Sequence, residues 1–190
     1  MVLKRTLGVA LGALAVVAAS AVGAAADDWG TNTSNTGAHP DSDPHTYCYN
    51  ANIADGAKPN ISSAEWDSMD PTAVNVDYNA TCDYSSSSET DVVWFTGDLP
   101  DGVRGRTYCE DFDTYCDQNY VTLDLAELNE GSNDEFDQTK TACHELGHTA
   151  GLTHHADGND CMDSGEVPNT NLQWHRYNDH HKSHLTSWFN

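Results

Sequence analysis

The chain has 190 residues, 30 of them Asp or Glu against 8 Lys or Arg, with 38% hydrophobic residues and a formal net charge of −22. That length suits one domain rather than two. The charge excludes ordinary electrostatic binding to nucleic acid or to an anionic membrane surface, and suits a very soluble, salt-adapted or cation-binding protein.

Lys4 and Arg5 precede an apolar run over 7–22, and Ala24-Ala25-Ala26 follows with small residues at the cleavage positions. Residues 1–26 therefore read as a secretory signal peptide; the run is short and rich in Gly and Ala for a membrane anchor. All the acidic residues lie beyond it, so its removal makes the charge still more negative. Residues 27–46 have little to bury and read as a loose leader. The remaining 47–190 form the folded domain, with no membrane contact expected once the signal is removed, and a monomer is expected.

Within that domain, residues 47–53 alternate as a first strand. Residues 62–69 predict a short helix, capped by Ser62 or Ser63, with Trp66 and Met69 turned inward. Strands follow at 74–78, 91–95 and 104–109, with a loop over 85–88. Residues 120–125 alternate strictly, with Val121, Leu123 and Leu125 on one face. After a polar connection over 127–134, residues 136–150 read as the main helix, broken at Gly151. Residues 158–171 read as irregular. A terminal helix is expected over 177–189, with Tyr177, His181, Leu185 and Trp188 on one side. Strands first and helices later make an α+β pattern.

Six cysteines in a secreted chain predict three disulfides. Cys109 and Cys116 are near enough to close a small loop, Cys143 and Cys161 flank the segment richest in chemistry, and Cys48 then pairs with Cys82. Asp111, Asp113 and Asp117 form the densest acidic stretch but lack the glycine and terminal Glu of an EF-hand loop, so no calcium site is supported.

The segment that carries chemistry runs His144-Glu145-Leu146-Gly147-His148-Thr149-Ala150-Gly151-Leu152-Thr153-His154. His144 and His148, one helical turn apart, project from one face and can share one metal ion. Glu145 is next to the first ligand but points elsewhere, so it can act on a water without joining the metal's shell. Gly151 stops the helix, and the chain returns with His154 as third ligand. Three protein ligands leave a position open, the mark of a catalytic zinc site. A chance H-E-x-x-H is expected in roughly 2 per cent of chains of this composition, and the added Gly and His lower that below about 1 in 10,000. His154 is favoured over His155, whose spacing is one residue too long, and over Asp157. His175, His180, His181 and His184 read as a polar helix face with one or two packed rings. Trp66, Trp94, Trp174 and Trp188 read as core.

These residues resemble the metzincin metalloproteases, whose signature is H-E-x-x-H-x-x-G-x-x-H followed by a methionine turn. Compactness and the cysteine just before the zinc helix make the chain similar to the small secreted bacterial zinc endopeptidases near snapalysin, although their third ligand is Asp and His154 stands here. The resemblance implies a metzincin-like zincin with a backing helix, an active-site helix and a small C-terminal lobe. It implies one catalytic zinc on His144, His148 and His154, Glu145 as general base, and a methionine turn at Met162 beneath the ligands. It also implies a protein or peptide substrate laid along an edge strand, for which 104–110 is the candidate. The rival reading is a secreted zinc-binding protein of the same fold without turnover.

Overall fold

A computed structural model of the chain describes residues 44–85, 88–112, 115–154, 159–165 and 170–189. The expected signal peptide, nearly all of the expected leader, His155 and Asp157 lie outside the described residues.

Five strands, β1 (His45–Tyr49), β2 (Val76–Tyr78), β3 (Val92–Thr96), β4 (Gly105–Phe112) and β5 (Cys116–Leu123), form one mixed sheet in the order β2-β1-β3-β5-β4. All pairs are parallel except β4 with β5, so the antiparallel β4 is an edge. Val92, Val93 and Trp94 of the central β3 are wholly buried, with Val92 and Trp94 in the main core. In β5 the polar and half-exposed Tyr120 and Thr122 alternate with buried Val121 and Leu123.

One face of the sheet is covered by helices. Helix α1 (Lys58–Ser63) starts on Pro59, whose fixed φ and missing N–H cost nothing there, and runs on into a π-helical turn over Ala64–Met69. A short α2 (Leu125–Leu128) is capped by Asp124, whose Oδ1 accepts from the N–H groups of Ala126 and Glu127. The long α3 (Asp134–Thr149) opens on Asp134, Glu135 and Asp137, which favour the positive end of its dipole. It packs on the π turn, β4, α1 and β5. Beyond it come a 3₁₀ turn (Leu172–His175) and α4 (Asp179–Phe189). Ile61, Met69, Trp94, Leu123, Leu146, Met162 and Leu185 belong to one core. No helix of the described residues is long and apolar enough to cross a membrane.

Several element boundaries differ from the sequence reading for identifiable reasons. β1 begins at His45, inside the expected leader, because Asp91 Oδ2 binds both the N–H and hydroxyl of Thr46. It stops at Tyr49 because Asn50 Oδ1 turns back to the Asn52 N–H. Ser62 and Ser63 cap nothing, since the helix already began at Lys58. Trp66 is 42% exposed, with its Nε1–H on Tyr47 Oη, while Glu65 is buried instead. The reason is register: Ile61, Glu65 and Met69, four apart, share the inner face, which leaves Trp66 outside it. Leu125 leaves the strand because Asp124 has started a helix. In α4, His181 and Leu185 are buried, but Trp188 is exposed and meets Tyr115 edge-on.

The three disulfides are Cys48–Cys82, Cys109–Cys116 and Cys143–Cys161. The first ties β1 to the loop after β2, the second links β4 to β5, and the third joins α3 to the segment carrying Met162.

Candidate metal centre and its cleft

α3 presents His144 and His148 one turn apart, and Gly151 at φ 87° reverses the chain behind them. Only a glycine takes that conformation without strain. The turn is fixed by Leu152 N–H on Gly147 O and Gly151 N–H on His148 O, and it brings His154 back over the helix. The three Nε2 atoms then lie 3.0, 3.1 and 3.2 Å apart.

These contacts are not hydrogen bonds between rings. His144 Nδ1 sits 2.8 Å from the Cys161 carbonyl and His148 Nδ1 2.8 Å from the Leu152 carbonyl. A carbonyl only accepts, so both Nδ1 atoms carry the proton and both Nε2 atoms offer lone pairs. Burial holds His144 well below the usual imidazole range, takes His148 down to about 4 and also lowers His154. Neutral imidazoles whose lone pairs converge in a partly buried site make a donor set for one cation. Three nitrogens bound tetrahedrally at about 2.0–2.1 Å stand roughly 3.3 Å apart, close to the spacing here, so the donor set fits zinc. Their Nδ1–carbonyl bonds are the outer contacts that orient zinc-binding histidines.

Glu145 faces β4. The Thr107 hydroxyl lies 2.8 Å from its Oε2 and 2.9 Å from its backbone carbonyl oxygen. Gly105 makes the space: a Cβ there would lie 2.7 Å from Glu145 Cγ and Oε1 and from Thr141 Cγ2. Burial raises the Glu145 carboxyl to about 7, against the opposing pull of the Thr107 hydroxyl and the Lys140 ammonium. Such a carboxylate exchanges protons near neutral pH.

Met162 is wholly buried under the site. A Cβ on Gly147 would overlap its Sδ, so the missing side chain at Gly147 is what lets the thioether lie beneath the helix between His144 and His148. Asp160 holds this turn. Its Oδ1 accepts from Met162 N–H at 2.9 Å, and its Oδ2 accepts from Asn178 N–H at 2.9 Å and His181 Nδ1 at 2.5 Å. Tyr177 Oη donates to the Cys143 carbonyl at 2.8 Å, tying the C-terminal segment to α3.

A cavity of about 370 Å³ joins these parts, lined by β4 on one side and the α3 residues Lys140, Thr141, His144, Glu145 and His148 on the other, with His154. The structure thus brings together His144, Glu145, His148, His154 and Met162, and of the candidate edge 104–110 it places Arg104, Gly105, Arg106 and Thr107 along the cavity. His175 and His181 are packed, whereas His180 and His184 meet edge to face along α4 and are not part of the cluster. Trp94 is core, but Trp66 and Trp188 are not. Sequence reasoning missed Gly105, Thr107, Gly147, Lys140 and the Asp160–His181 pair. Lys140 alone left a local signal, standing one turn before His144 on the same face.

The five-stranded mixed sheet with helices packed on it is a fold shared with a solved structure. Among solved structures the chain is similar to archaemetzincin from Methanopyrus kandleri, with 17% sequence identity over 75% of this chain and 93% of that one and a TM-score of 0.51. No protein-family model matches the sequence, and no curated protein does.

Proposed function

We propose that this chain is a secreted zinc-dependent endopeptidase. One observation carries the reading: three neutral imidazoles converge beside a buried carboxyl raised to about 7, in a cavity bounded by β4, which among the described residues is an edge of the sheet. His144, His148 and His154 would hold the ion, which when bound supplies Lewis acidity and a more acidic water. Glu145 accepts the proton of the attacking water and returns it to the departing amine. Thr107 keeps that carboxyl aimed at the cleft. β4 offers its free edge to an extended peptide, which adds as a further strand through backbone hydrogen bonds. Three disulfides and the leading residues 1–26 support export, and the compact size supports kinship with the small secreted endopeptidases.

The test is hydrolysis of casein or a quenched peptide with and without chelator, set against two substitutions. Glu145→Gln retains about one zinc per chain and loses peptide hydrolysis by roughly 10²–10⁴. His154→Ala loses zinc and activity together, while His155→Ala loses neither. Parent-like hydrolysis by Glu145→Gln would refute the mechanism. A chain that binds zinc but cleaves no peptide would be the non-enzymatic metal binder instead.

A further inference from the structure

Beyond Lys4 and Arg5, the chain has only six Lys and Arg residues among 30 Asp and Glu. Three of those six, Arg104, Arg106 and Lys140, line the cavity of the metal centre. Among the described residues, Glu145 is its only acidic lining residue. The charge of the cleft is therefore the reverse of the charge of the molecule around it.

Lys140 is the best-placed of the three. It is 6% exposed and stands one turn before His144. Its Nζ donates to the carbonyls of Asp163 and Gly165, which fix the ammonium at the cleft wall. Among the described residues no carboxylate pairs with it, although Asp163 and Glu145 lie near enough to act on it electrostatically. Burial outweighs the nearby negative charges of Asp163, Glu145 and Asp137 at this ammonium, so an anion that comes to it as a direct partner stabilises it. Arg104 is also close enough for its charge to be felt at Lys140, so two cations face one end of the cavity. Arg106 is exposed and lies on the edge strand β4, where a substrate strand would set a side chain about 5 Å away.

We propose that the cleft selects substrates by a carboxylate beside the scissile bond, received by Lys140 and Arg104, so that the enzyme is directed to acidic polypeptides. This rests on the endopeptidase reading. A carboxylate can come from an Asp or Glu side chain or from the C-terminus of a peptide. The acidic exterior repels such a substrate at a distance, so selection acts at close contact, where cleft walls of low dielectric strengthen the attraction.

The zinc-loaded full chain is assayed on matched quenched peptides carrying Glu, Gln or Lys next to the scissile bond. A second set ends shortly after that bond with a free or an amidated C-terminus. The Glu peptide is expected to exceed the Gln peptide by about tenfold or more in kcat/KM, with Lys lower still. Loss on amidation instead assigns the carboxylate to the terminus. Arg104→Gln and Lys140→Met should each shrink the preference while zinc is retained; Arg104→Gln serves where Lys140→Met fails to fold. Equal cleavage of all peptides, or a preference unchanged in the folded variants, overturns the proposal and leaves the endopeptidase standing. If no peptide is cleaved, the endopeptidase reading falls. Titration calorimetry with the Glu and Gln peptides then decides acid selection, and equal affinities overturn it.

Discussion

Glu65 shows how far one residue can depart from its type. It is wholly buried; Oε1 accepts from Trp94 Nε1–H at 2.8 Å, and Oε2 has no hydrogen-bond partner among the described residues. Burial raises its carboxyl from 4.5 to about 8, against the opposing Trp94 bond. The folded protein therefore keeps a proton that the unfolded chain releases near 4.5. Its contribution to stability is full below about pH 4.5 and is lost progressively as pH rises toward 8. Glu65→Gln keeps the acceptor for Trp94 and abolishes the ionisation. The variant should be more stable than the parent at pH 8 by a few kcal/mol and close to it at pH 4.5. Thermal unfolding of both across that range checks this, and parallel curves would contradict it.

At the scale of elements, the site depends on two glycines that let neighbours approach. Gly105→Ala should push the Glu145 carboxyl away from Thr107, lowering kcat while zinc content stays unchanged. Gly147→Ala drives a methyl into Met162 and Tyr177 and should cost about 1–3 kcal/mol, read from denaturant unfolding. The segment under the site is tied to α4 through the buried Asp160–His181 pair. Burial opposes ionisation of Asp160, but the bonds from His181 and Asn178 outweigh it and hold the carboxyl below its ordinary value. Asp160→Ala removes the acceptor of His181 Nδ1 and of the Met162 N–H, at a cost of about 1–3 kcal/mol. Amide exchange should then quicken in both 159–165 and 177–185; faster exchange in one segment alone would mean that they are not coupled. Peptide mapping of the non-reduced protein should return the three bridges, and a titratable thiol at Cys143 would remove the link between α3 and the methionine turn.

For the whole molecule, a net charge of −22 on 190 residues means self-repulsion that unfolding relieves. Salt screens it over a Debye length of about 10 Å at 0.1 M. Tm should therefore rise as sodium chloride is added, and a flat or falling Tm would show that the acidic surface is already compensated.

The sequence by itself determined whatever rests on local periodicity. His144, Glu145 and His148 share a helix whose geometry separates them, and Gly151 needs only its own backbone freedom to return His154. The alternation of β5 and the run of β3 likewise follow from residues next to one another, and cysteine spacing narrowed the bridges. Tertiary structure decided what faces these residues. Thr107 meets Glu145 across 38 positions, Tyr177 meets Cys143 across 34, and Met162 lies under Gly147 through contacts that no spacing encodes. The inner face of 62–69 was misread because Trp66 was assigned inward by its apolar type, whereas the buried positions Ile61, Ala64, Glu65, Ser68 and Met69 keep a helical period that leaves Trp66 outside. Periodicity reports which side of an element is covered; only packing decides by what. The carboxyl near pH 7 and the cationic cleft in an acidic protein both arise at that second level.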